Sequence, residues 1–181
     1  MSFLISNLAT RRIARWLGVL LTLTAATAGY AATSTGPKAY IGLFKDNAVA
    51  VLDTATNQLL TTIPIPPGPH GLVVSPDGAT VYASSDGDSR VSVIDTSQDA
   101  VVASIPVGTS PHGLAITPDG KTVLAAVFGA NAVVFIDTAT RTVQGQALVA
   151  NPHNIAISPD GRTAYVAAQG QDALALVILD V

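Results

Sequence analysis

Downstream of Lys38 the chain alternates short apolar runs with polar segments built from Gly, Pro, Asp, Asn, Ser and Thr. The runs have period-two or continuous β character and turn residues bound each of them, which predicts strands joined by tight turns. No segment beyond the N-terminal leader reads as a helix. The pattern also repeats. Pro-Asp-Gly begins at Pro76, Pro118 and Pro159, in steps of 42 and 41, and a second marker closes apolar runs at Asp53, Asp95, Asp137 and Asp180, in steps of 42, 42 and 43. The unit is therefore about 42 residues long, within the range where repeated supersecondary units build solenoids and propellers.

Within the third unit the pattern places strand A at 113–117, B at 122–128, C at 132–138 and D at 142–149. Pro-Asp-Gly between A and B suits a turn with glycine at positive φ, and DTATR between C and D offers side chains that cap their own backbone. Four antiparallel strands repeated at this period predict an all-β fold, a β-propeller of four-stranded antiparallel blades. Blades fall at approximately 38–68, 69–110, 111–151 and 152–181. The first begins at KAYIGLF, already a B strand, and the fourth stops after its C strand, so about three and a half blades are present, a partial propeller. Such an arc leaves open sheet edges through which the chain can self-associate. Three accounts of it stand open: a truncated reading frame, two chains completing one ring, or an irregular four-bladed propeller.

Composition adds a compartment. Residues 1–31 read as a cleaved signal peptide, with Arg11, Arg12 and Arg15 ahead of the apolar run WLGVLLTLTAATAG and small residues at Ala26 and Ala28 or Gly29 and Ala31. TRRIAR hints at twin-arginine export, although Ala14 stands where that signal prefers a large apolar residue. Cleavage leaves six basic residues against twelve Asp, no Glu and no Cys. A mature chain this acidic argues against a nucleic-acid groove, is expected to have no membrane span once the leader is gone, and is expected in the periplasm or outside the cell, held together by packing without disulfides.

PHGLAITPDGKTVLAA followed by NAVVFIDTATRTV resembles the YVTN-type β-propeller repeat of secreted and periplasmic bacterial and archaeal proteins, and the likeness extends over 38–181. Propellers of that kind serve as surface-layer proteins, binding proteins, lactonase-like enzymes and cofactor-bearing redox domains, so the resemblance implies fold more sharply than activity. It also implies that strand A is innermost, lining the channel.

The three histidines of the chain, His70, His112 and His153, occupy the same place in three repeats, in the D-to-A loop at the entrance of strand A. Two readings stand open. Each imidazole hydrogen-bonds backbone of the adjacent blade and recurs because the repeat was duplicated, or the three converge near the channel mouth to ligate a transition metal or grip an anion. In a related family a copper-bearing propeller gathers histidines around its axis, from more blades than are present here. No cofactor is predicted otherwise. The B-to-C loops at the same end differ between repeats, which is where a site can be built; they contribute Asp86, Asp88, Asn131 and Asp172 as further ligand candidates. Asp86 and Asp88 alone fall short of a calcium loop.

Catalytic signatures are sparse. There is no G-x-S-x-G, and eight of the twelve Asp are assigned to turns at the opposite end. The sequence is expected to encode a binding or scaffold module for a protein, glycan or small molecule. The alternative is a lactonase-like hydrolase or a cofactor-bearing, redox-linked propeller.

Overall fold

A computed structural model describes residues 36–179. Residues 1–31, expected to be a signal peptide, and Asp180 lie outside the described residues. Among the described residues fourteen strands form four antiparallel sheets in chain order. The first blade holds β1 (Lys38–Leu43), β2 (Ala48–Asp53) and β3 (Gln58–Pro64); the second holds β4 (Pro69–Val74), β5 (Thr80–Ser85), β6 (Arg90–Asp95) and β7 (Ala100–Pro106). The third holds β8 (Pro111–Ile116), β9 (Thr122–Val127), β10 (Ala132–Asp137) and β11 (Thr142–Leu148), and the fourth β12 (Pro152–Ile157), β13 (Thr163–Ala168) and β14 (Ala173–Ile178). Each sheet is a simple meander, so the architecture is that of a partial β-propeller. The one departure from strand and turn in the described residues is a short 3₁₀ turn at Phe128–Ala130. Among the described residues no helix is long and apolar enough to cross a membrane.

The core lies between blades. Tyr82, Val91 and Val93 of the second blade pack with Leu114, Val123, Ala125 and Ile136 of the third. The same junction recurs with Val49 and Val51 against Val81, Ala83 and Ile94, and with Leu124 and Val133 against Ala164, Val166 and Val177. Alternation along each strand sends one set of side chains forward and the next set back, so every interior blade is buried on both faces. At the fourth blade the forward-facing positions are Tyr165, Leu174 and Leu176, and they are exposed.

The turns between first and second strands, and between third and fourth, share one end of the blades, and their chemistry is uniform. Ser75, Thr117 and Ser158 donate hydroxyl hydrogen bonds to Asp77, Asp119 and Asp160 at 2.5, 2.6 and 2.6 Å. Those carboxylates also accept the backbone N–H of Ala79, Lys121 and Arg162. Gly78, Gly120 and Gly161 supply φ of 72°, 74° and 76°, a conformation that costs a glycine little. Being hydrogen-bonded as anions, Asp77, Asp119 and Asp160 all have lowered pKa values, that of Asp119 falling to about 2 with the Thr117 hydroxyl as the main cause. Asp53, Asp95 and Asp137 cap the other turns in the same way.

Two expectations about this end are corrected. Asp99 does more than turn the chain: it binds Lys38 Nζ at 2.7 Å and accepts the Tyr40 hydroxyl at 2.7 Å, clamping the first blade to the second. Burial, then the bond to Asp99 and its charge, push the Tyr40 hydroxyl well above the ordinary tyrosine range. The fourth apolar marker is also out of register. Leu179 N–H bonds Arg162 C=O as Thr96 bonds Ala79 and Thr138 bonds Lys121, so Ile178, not Asp180, takes the place of Asp95 and Asp137.

Candidate functional site

The opposite end of the blades carries the histidines. They are not in the D-to-A loops, as the sequence pattern suggested, but are the second residues of β4, β8 and β12. All three inner strands shift register between the leading proline and the fourth strand residue, between Pro69 and Leu72, Pro111 and Leu114, and Pro152 and Ile155. Each histidine therefore sits in a bulge, where an extra residue leaves the ladder and its side chain is re-aimed.

What fills the junction between successive inner strands is backbone. A Cβ on Gly113 would lie 2.6 Å from the carbonyl oxygen of His153 and 2.8 Å from Cα of Asn154. Gly71 stands equally close to the carbonyl of His112, which also accepts a hydrogen bond from the buried Ser84 hydroxyl. Among the described residues none of the three imidazoles hydrogen-bonds a neighbouring backbone group.

The rings instead meet one another. His70 and His112 stack with centroids 4.4 Å apart and planes 9° from parallel. His153 stands edge-on to both, at 5.0 and 4.8 Å. One nitrogen from each ring can be chosen such that all three lie within 4.8 Å of one another. Phe128 stacks on the other face of His112 at 4.9 Å, so the middle ring is sandwiched and only 9% of the residue is exposed.

Asp86 fixes that middle ring further. Its Oδ1 lies 3.0 Å from His112 Nε2, while His112 Nδ1 is buried and has no partner. In the other blades the position of Asp86, just past the second strand or at its equivalent in β1, holds Phe44, Phe128 and Gln169. The carboxylate thus occurs at this place once, on the blade that abuts the most buried histidine. His70, the most exposed of the three, has a pKa below the ordinary histidine value, because of its partial burial and then the nearby His112 and His153; Asp86 opposes the shift. The shift favours the neutral form of His70, which offers a lone pair.

The remaining candidates separate. Asp172 lies with His153 along a groove of about 480 Å³ on the fourth blade, lined also by Ala168, Gln169 and Gly170. Asp88 turns back on its own loop, its carboxylate accepting the N–H of Ser89 at 2.6 Å. Asn131 adopts φ 51° and its side-chain oxygen accepts the N–H of Asn151 at 2.9 Å, a structural tie between loops that Asn47 repeats on Gly68. The structure brings His70, His112, His153 and Asp86 together, sets Asp172 in a groove with His153, and occupies Asp88 and Asn131 elsewhere. Phe128 escaped the sequence reading. Its signal was weak, because Phe44 holds the same position in the first blade while Asp86 and Gln169 are polar there.

Comparison with known proteins agrees with this architecture. The profile of the YNCE-like beta-propeller family matches residues 18–116, more than half of the chain. Among solved structures, a chain of Kuenenia stuttgartiensis hydrazine synthase superposes with a TM-score of 0.73 at 28% identity, over 79% of this chain and 42% of that one. This chain thus spans less than half the length of that relative. No curated protein sequence matches significantly.

Proposed function

The chain belongs to the YNCE-like β-propeller family, and from that premise we propose that it is an exported binding module whose ligand face is the histidine end of the blades. The observation that carries this reading is the meeting of His70, His112 and His153 from three successive inner strands. Strands hold side chains more firmly than loops do, so a site built on them is positioned before any ligand arrives. The variable loops beside the row give the face its individuality. PHGLAITPDGKTVLAA supports placing the repeats in the YVTN-type branch, and the basic, then apolar leader supports action in the periplasm or at the cell surface. The activity of hydrazine synthase is not carried over with the likeness, since blades of this kind host unrelated functions.

Imidazole ¹H–¹⁵N spectra of the untagged chain, recorded against metals, organic acids, glycans and peptides, test the reading. A ligand that moves the resonances of His70, His112 and His153 together, without turnover, supports it. Turnover of a lactone panel that disappears in Asp86→Asn and His112→Ala makes the protein a lactonase-like hydrolase instead. Ligands that bind while every histidine resonance stays still overturn the assignment of the face.

A further inference from the structure

We propose that the histidine end is a divalent transition-metal site in which His70, His112 and His153 are the ligands and Asp86 is the outer carboxylate that orients His112. The inference rests on the reading of this end as the ligand face and names what binds there.

The donor set is the first ground. Three imidazoles from three strands match the ligand number of an open zinc site, with a fourth position left for water or a further ligand. Imidazole suits Zn²⁺, Cu²⁺ and Ni²⁺, whereas carboxylate and carbonyl oxygens, absent from the row itself, suit Mg²⁺ and Ca²⁺. The second ground is the outer contact. A ligating histidine ordinarily donates its other ring N–H to a carboxylate or carbonyl, which fixes the tautomer. Asp86 is placed to accept that proton from Nε2 of His112 at 3.0 Å, which leaves Nδ1, buried and without a partner, as a lone-pair donor. An anion is disfavoured at the same place, because Asp86 would face it with like charge.

Distances set the adjustment required. Ligand nitrogens around a tetrahedral ion at 2.0–2.1 Å are about 3.3 Å apart, whereas the three candidate nitrogens lie within 4.8 Å of one another. For one choice of nitrogen on each ring, the row must close by about 1.5 Å. Closure requires His70 to rotate out of its stack on His112, because the in-plane lone pairs of two parallel rings do not converge, and His153 to turn with it while the strands stay fixed; His112, held between Phe128 and Asp86, is the fixed point.

The test is calorimetric titration of Zn²⁺ into the untagged, chelator-treated chain, with circular dichroism confirming that each variant stays folded. The expected result is one ion per chain, with affinity lost in His70→Ala and His153→Ala and lowered about 10- to 100-fold in Asp86→Asn. His70 is exposed and His153 half-buried, and circular dichroism of each variant separates lost binding from lost folding. Zinc binding that all three variants retain overturns the site, as does binding no tighter than in a His70→Ala/His112→Ala/His153→Ala triple variant. If zinc fails to bind while an organic ligand still moves all three histidine resonances, the metal inference falls and the binding-face reading stands. If neither binds, both fall.

Discussion

The two ends of the blades are made by different rules. At the turn end the same hydroxyl, carboxylate and glycine recur in three blades with hydrogen bonds that agree within 0.1 Å for the Ser or Thr donors. At the histidine end the inner-strand bulge recurs, but its surroundings do not: the residue beside the rings is Asp86 in one blade, Phe128 in the next and Gln169 in the last. Uniformity marks what every blade needs in order to fold. A residue that appears once, against a repeated frame, is where chemistry specific to this protein is to be sought.

That contrast can be broken or sharpened by substitution. The largest effect is expected neither at one end nor the other but between blades, where Leu124 is fully buried in the third junction. Leu124→Ala should cost about 2–5 kcal/mol in urea unfolding; a cost under about 1 kcal/mol would mean that the junctions do not stabilise the fold as described. Next comes Gly113→Ala, which drives a methyl group to within contact of the His153 carbonyl. It is expected to cost about 1–3 kcal/mol and to splay His112 from His153, so metal or ligand affinity should fall with stability.

At the turn end the expected signature is a pH dependence. The carboxyl of Asp119 has a lower pKa folded than unfolded, so it stabilises the fold above pH 4, and that contribution disappears as the pH falls towards about 2. Asp119→Asn should lower stability at pH 7, and most of the difference from the parent chain should be gone at pH 2, with ligand binding at pH 7 untouched. Equal stability of the two proteins at both pH values would refute the capping role. The smallest effect on stability is expected for His70→Ala, within about 0.5 kcal/mol, even though this substitution removes a ligand-face ring. If it destabilised the chain as much as Gly113→Ala, the histidines would be structural and the contrast between the ends would fail.

Much of this was legible in the residues. The spacing of Pro-Asp-Gly and of the apolar runs gave the number of strands, their grouping as three, four, four and three, and the turn chemistry, because these depend on neighbours a few positions apart. Strand boundaries were less so: Pro111 and His112 belong to the inner strand through a bulge that only pairing with β9 reveals. Spacing also misled at the fourth blade, where ILD resembles VID in letters but Ile178 holds the register of Asp95. Site geometry was the least accessible. Asp86 and His112 are 26 residues apart and meet across a blade junction, and the local bonds that occupy Asp88 and Asn131 depend on backbone angles that the sequence does not print.

The measurement that bears most directly on the central claim, that three repeats pool their histidines into one site, is X-ray absorption at the zinc edge on the chain loaded with one equivalent of Zn²⁺. Three imidazoles at about 2.0 Å are predicted for the parent chain, with His153→Ala failing to retain that three-imidazole zinc. A spectrum dominated by oxygen ligands, or one unchanged by His153→Ala, would contradict the claim.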